Sequence, residues 1–186
     1  MSNIHQENTE EIRLVIGKFV SFQDEYSLAC RKNEADILDI YDSLKMTPIT
    51  WGSLGQGIPT GKYDHNTVFN ADDRRNRDVY VNFHGDKLLK NLKIIDTLNE
   101  IAAKKNRSIA SCAICFILDY IPSCVVLAGV KWPQQLLSNI EAMGWKDSKE
   151  ELQMLDQISS EKLITEIGEI YYILNIQPSS DRKEAA

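Results

Sequence analysis

No run of apolar residues in this chain approaches the roughly 18–20 that a membrane-crossing helix needs. Residues 1–11 are polar and acidic, not the basic-then-apolar build of a secretory leader. Neither a membrane span nor a leader is therefore expected. Basic charge is also scarce: 21 Lys and Arg against 27 Asp and Glu leave a formal net charge of −6. That balance argues against nucleic acid or an anionic membrane as the main partner. The densest basic stretch, Asp72-Asp73-Arg74-Arg75-Asn76-Arg77, is mixed in sign and reads as a solvated loop, though one arginine could reach a cofactor phosphate. Cysteines number four: Cys30, Cys112, Cys115 and Cys124. Cys112 and Cys115 have C-x2-C spacing, but they sit on an apolar helix and no second ligand pair follows. They read as buried small residues, and no metal is expected. Free thiols in an acidic chain suit the cytoplasm.

What is present is an alternation of helix and strand in a single domain, residues 1–186, with no repeat or linker. The 43% hydrophobic content supports a real core. Asn8-Thr-Glu-Glu11 has the form of a capping box and precedes Ile12, Val15, Ile16 and Phe19 at helical spacing, so a helix is expected within residues 1–18. Strands are expected at Phe19–Ser27, Pro48–Trp51 and Cys124–Gly129. Between them fall a helix capped by Asn33, an amphipathic helix marked by Leu88, Leu92, Ile95, Leu98 and Ala102, and another capped by Ser108. Pro133 opens a further helix, and Ser148-Lys-Glu-Glu151 is a second capping box. An additional helix carrying Leu163, Ile167 and Leu174 is expected over 160–176. Residues 55–84 form a long polar loop, and loops of that length in a compact domain usually have a function. Strand–helix alternation implies parallel strands with crossover helices.

Three segments carry a specific resemblance. Gln23-Asp-Glu-Tyr-Ser-Leu-Ala-Cys-Arg31, Trp51-Gly-Ser-Leu-Gly-Gln-Gly-Ile-Pro-Thr-Gly-Lys62 and Gly129-Val-Lys-Trp-Pro-Gln-Gln-Leu-Leu-Ser-Asn139 resemble strands six, seven and eight of the aldo-keto reductases, each with its following loop. They occur in the family's order, and Ala142-Met-Gly-Trp145 is similar to its closing phrase. The resemblance implies an α/β fold, a partial (β/α) barrel of about three parallel strands over residues 19–158. A complete barrel takes roughly 250 residues. It also implies much of an NADP(H) site. Gln23 would hold the nicotinamide carboxamide and Trp51 would stack on the ring. Ser53, Leu54, Gly57 and Lys62 would wrap the pyrophosphate. Gly129 follows strand eight, Lys131 would meet the 2′-phosphate, and Gln135 and Asn139 would face the adenine. For Trp51 and Lys62 a purely structural role is equally open, and for Leu54 and Gly129 it is the favoured one. Departures from the family pattern are Gly52 for proline, Ser138 for glutamate, and the expected lack, within residues 1–20, of the fifth-strand Ser-Asn pair that completes the carboxamide site.

The family's chemistry rests on a tyrosine, lysine, aspartate and histidine from strands two to four, and none has a counterpart here. His5, His65 and His84 lie in a tail or the long loop. Glu25 shares the inward face with Gln23 and is a candidate acid/base, or more simply a layer residue of the barrel; Asp64 and His65 could pair, or be solvated. The resemblance thus implies a catalytically degenerate relative binding NADP(H) weakly. The alternatives are a repurposed non-redox enzyme of specialised metabolism (a cyclase, lyase or isomerase) and a fragment. Three strands leave two sheet edges and an apolar inner face lined by Phe22, Ile49, Trp51 and Val126 or their neighbours, so a homodimer is expected.

Overall fold

The computed structural model describes residues 2–3, 8–14, 17–60, 63–64, 67–77 and 79–160. Three strands, β1 (Ser21–Glu25), β2 (Thr47–Trp51) and β3 (Val125–Val126), form a parallel sheet in the order β1-β2-β3. The register sets Gln23 against Ile49, Glu25 against Trp51, and Ile49 against Val125. Side chains alternate across a strand, so these five residues share one face. Gln23, Glu25, Ile49 and Trp51 are half-buried and Val125 is exposed. On the opposite face Phe22, Asp24 and Thr50 are buried under the helices. This corrects the expected lining of the inner face. Phe22 belongs to the helix-side core and Val126 packs against it, because each is one residue out of phase with Gln23 and Val125.

Helix α1 (Thr9–Arg13) is short. It buries Ile12, while Phe19 lies beyond it and is 43% exposed. Asn8 makes no side-chain cap bond to the helix. Helix α2 (Glu34–Leu44) joins β1 to β2 and buries Ile37, Ile40 and Leu44. Asn33 does not cap it either. Its amide instead donates to Asp24 Oδ1 at 2.8 Å and to the Glu25 carbonyl at 3.2 Å, fastening the β1–α2 turn to the strand. Helix α3 (Gly85–Lys105) buries Ile94, Ile95, Leu98, Ile101 and Ala102, an i, i+3, i+4 stripe. Asn106, in the left-handed region at φ 52, ends it. Helix α4 (Ile109–Tyr120) is capped by Ser108 and buries every residue from Ser111 to Ile117, so small side chains such as Cys112, Ala113 and Cys115 suit it. Helix α5 (Pro133–Ile140) follows β3, and α6 (Lys149–Ser159) opens with the expected capping box at Ser148. Helix α3 packs on α4 and α6.

The segment 55–84 is more than a polar loop. Ile58 and Phe83 pack on Leu92 and Ile95, with Tyr63, Phe69 and Tyr80 against them. Tyr63 and Phe69 each meet Phe83 edge-on, with centroids at 5.3 and 5.4 Å. No helix among the described residues is long and apolar enough to cross a membrane. The helix expected over 160–176 lies outside the described residues except for its first position, Ser160. Val15, Ile16, Lys62, His5 and His65 lie outside them too.

Candidate cofactor site

Strand β2 ends at Trp51 and the chain turns through four residues with positive φ: Gly52 at +66°, Gly55 at +48°, Gln56 at +60° and Gly57 at +97°. Proline is fixed near −65°, so the family's usual proline could not take the conformation of Gly52. Gly55 is required by space as well, since a Cβ there would lie 2.8 Å from Ala29 Cβ. The Gly57 N–H donates to the Leu54 carbonyl at 2.7 Å, and Thr60 Oγ1 donates to the Gly57 carbonyl at 2.6 Å. The turn is thus held by its own backbone and by the Thr60 hydroxyl. Ser53 is buried, with its hydroxyl 3.2 Å from Thr50 Oγ1; a phosphate contact from Ser53 would have to come through its backbone.

Beside this turn lies a cleft of about 270 Å³ lined by Leu54, Thr60, Ser108, Gly129, Gln135 and Asn139, among others. Four of the residues singled out from the sequence, Leu54, Gly129, Gln135 and Asn139, therefore converge, although they come from two segments about 75 positions apart. Gln135 has a structural task as well: its Oε1 accepts from the Lys131 N–H at 2.7 Å and the Trp132 N–H at 3.2 Å. This clamps the β3–α5 turn and fixes the backbone of Lys131, whose side chain is exposed. Ser138, where the family has glutamate, meets the Ser108 hydroxyl at 2.7 Å. That part of the cleft presents neutral hydroxyls, and the nearby carboxylate is that of Glu141, whose Oε2 accepts from the Ser108 N–H at 3.2 Å.

Gln23 and Trp51 stand elsewhere, on the inner face of the sheet. Here the structure corrects an expectation. Ser2 bridges to Gln23 in parallel fashion, and the Asn3 N–H donates to the Gln23 carbonyl at 2.8 Å. A Ser-Asn pair thus lies along the outer edge of β1, where a fifth barrel strand would run, directly against the residue assigned to the carboxamide. It escaped the sequence reading because two residues carry no periodicity of their own.

The remaining candidates are tied down. Glu25 Oε2 is 3.3 Å from Lys32 Nζ, as befits a paired layer residue rather than a free acid. Asp64 Oδ1 accepts from Thr67 Oγ1 at 2.9 Å. In the basic run, Arg74 and Arg77 are exposed. Arg75 lies over Tyr63 and Phe69, 5.3 and 5.0 Å from their centroids, and donates to Asp73 and Tyr63. The side-chain hydrogen bond from Arg75, with its backbone N–H, holds the Asp73 carboxyl down at about 2. Tyr26 and Arg31, two further polar residues of the first motif, are structural. Buried Arg31 reaches Glu34, Asp156 and Ser159 and lies 4.7 Å from the Tyr120 ring centroid. Tyr26 donates to Glu34 at 2.7 Å. This network joins the β1–α2 turn to α6.

An open parallel sheet, a Gly-rich turn after its middle strand and a cleft between that turn and α5 form part of a (β/α) barrel. The sequence pattern of the aldo/keto reductase family matches residues 1–160, and the chain belongs to that family. Among similar proteins, the aldo-keto reductase YhdN of Bacillus subtilis is 27% identical over 169 residues, which is 90% of this chain and 50% of that protein. The norsolorinic acid reductase of Aspergillus flavus is 28% identical over 138 residues, 74% of this chain and 32% of that protein. The solved glycerol dehydrogenase of Gluconobacter oxydans superposes with a TM-score of 0.74 at 27% identity, covering 84% of this chain and 47% of its own. The chain thus spans half or less of the length of these relatives.

Proposed function

We propose that this chain binds NADP(H) through the nucleotide half of an aldo-keto reductase site and does not by itself reduce carbonyls. The observation that carries the first part is the convergence of Leu54, Gly129, Gln135 and Asn139 on one cleft beside the positive-φ turn. The cleft offers backbone, amide and hydroxyl groups, and Lys131 supplies an exposed cation nearby in sequence. These are groups that suit a phosphorylated nucleotide. The position of Ser2 and Asn3 against Gln23 supports a carboxamide site more complete than the sequence suggested, so one reason for expecting weak binding falls away. Trp51 would provide an apolar face for the nicotinamide. The second part rests on the resemblance: the tyrosine, lysine, aspartate and histidine of the family's chemistry have no counterparts in these 186 residues, and hydride transfer to a carbonyl needs an acid at the oxygen. The reading of a repurposed non-redox enzyme stands second, since Glu25 is already paired with Lys32.

The binding claim is tested by following tryptophan emission during NADPH addition, in the wild type and in Trp51→Phe. A saturable change in the wild type that is lost in the variant is expected; no saturable change would count against it.

We also propose self-association. Val125, Leu127, Leu136, Leu137, Ile140 and Met143 are exposed, and they cluster in sequence around edge strand β3 and helix α5. A second copy covering them would protect the open edge of the sheet.

A further inference from the structure

Where α4 meets the segment between α5 and α6, three potential ligands come together. Cys115 and Asp119 are one helical turn apart on α4, and Asp147 lies just before α6. One ligand atom from each falls within 4.8 Å of the other two. The geometry points to a Zn²⁺ site here, ligated by Cys115 Sγ and by carboxylate oxygens of Asp119 and Asp147.

The case turns on Asp147. It is only 8% exposed, and neither carboxylate oxygen has a hydrogen-bond partner among the described residues. A buried carboxylate without partners is costly, and such groups usually pair or hold a metal. The neighbouring cation, Lys105, is engaged elsewhere, its Nζ 2.7 Å from Glu151 Oε2 and 3.3 Å from the Lys146 carbonyl oxygen, and its charge offsets that of Asp147 only in part. The other two groups are already oriented. Asp119 Oδ2 accepts from the Asp147 N–H at 2.8 Å and lies 3.7 Å from Cys115 Sγ.

The donor set selects among cations. One sulfur and two carboxylates suit a borderline ion such as Zn²⁺ better than Mg²⁺ or Ca²⁺, which take oxygen ligands alone. Tetrahedral zinc has bonds of about 2.3 Å to sulfur and 2.0–2.2 Å to oxygen, so the cluster would contract slightly on binding. The Trp145 carbonyl oxygen lies 3.7 Å from Cys115 Sγ. Half-buried Asp119 offers the approach from solvent. Cys112, the other half of the C-x2-C, takes no part. It packs into the main core while Cys115 packs with Ile114 and Ala142. The ion would clasp α4 to the segment joining α5 and α6.

The test is equilibrium dialysis of the untagged full chain, stripped with chelator, against Zn²⁺, with Co²⁺ as a spectroscopic stand-in. One equivalent of Zn²⁺ per chain is expected, together with a thiolate-to-Co²⁺ charge-transfer band and a rise in melting temperature with Zn²⁺. Losing an outer-shell partner alone costs 10–100-fold in metal affinity, so Asp147→Asn and Cys115→Ser should each weaken binding by more than about 100-fold. Cys112→Ser should leave stoichiometry and spectrum unchanged. If Cys115→Ser does not fold, Asp147→Leu serves: it removes the buried carboxylate and should fold without binding Zn²⁺. Failure of the wild type to bind one equivalent, or binding that survives both Asp147 variants, overturns the proposal.

Discussion

Replacing Arg31 with alanine would test whether the first motif is built for stability rather than for cofactor. The side chain is 4% exposed and donates to Asp156 Oδ1 at 2.7 Å, the Asp156 carbonyl at 3.0 Å and Ser159 Oγ at 2.8 Å, besides its pairing with Glu34. Removing one partner of a buried ion pair costs about 3–5 kcal/mol, mainly because the other charge is stranded. Here the stranded groups are partly wet: the Glu34 and Asp156 side chains are 23% and 40% exposed. Each can recover some hydration, which favours the lower end, about 3 kcal/mol. A small domain has only about 5–15 kcal/mol in hand, so the variant should be visibly weakened. With a urea slope of about 2 kcal/mol/M, the midpoint should fall by roughly 1.5 M. Circular dichroism during urea unfolding reads this out. Arg31→Met combined with Glu34→Gln should recover part of the loss, because neutralising Glu34 removes one stranded charge. A fall of under about 0.5 M for Arg31→Ala would show that the network contributes little and that its tie to α6 is incidental.

Gly55→Ala should destabilise by about 2 kcal/mol, combining a positive φ with a Cβ 2.8 Å from Ala29 Cβ; Ala29→Gly in the same chain should restore part of it in the same urea assay. The isolated protein should show no NADPH-dependent reduction of aldehydes, ketones or quinones; oxidation that scales with protein and survives further purification would contradict this. Light scattering should give twice the 21.2 kDa chain mass at micromolar concentration, and Leu137→Glu with Ile140→Glu should shift it to the monomer. A single monomeric species in the wild type would reject the dimer.

Much of the fold was legible because it is local. The stripe of α3, the Ser108 and Ser148 caps and the strands at Ser21–Glu25 and Thr47–Trp51 all follow from short-range pattern. Strand β3 came out shorter than expected, pairing with β2 only at Val125 and Val126, although the Leu127 N–H still donates to the Thr50 carbonyl at 2.8 Å. What was illegible is what distance in sequence hides. Asn33 has the form of a cap, but the Asp24 carboxylate competes for its amide. Tyr63, Phe69 and Phe83 meet without any periodicity to announce it. Arg75 reads as a solvated charge until the rings under it are in place. Asp147 looks like an ordinary polar residue before a helix cap, and only the fold buries it against α4. Of the candidate site, the residues after β2 and β3 were readable by resemblance, whereas Ser2 and Asn3 needed the sheet edge to reveal them.

The most direct measurement is isothermal titration of the full chain with NADPH and with NADH, repeated on Lys131→Ala. Retention of the nucleotide half predicts one site per chain for NADPH in the micromolar range, roughly −8 kcal/mol, and weaker binding of NADH. Lys131→Ala should remove the preference, since one charge-assisted hydrogen bond is worth about 1.5–3 kcal/mol, or roughly 10- to 150-fold in affinity. No heat at millimolar NADPH, or a preference unchanged in Lys131→Ala, would contradict the account.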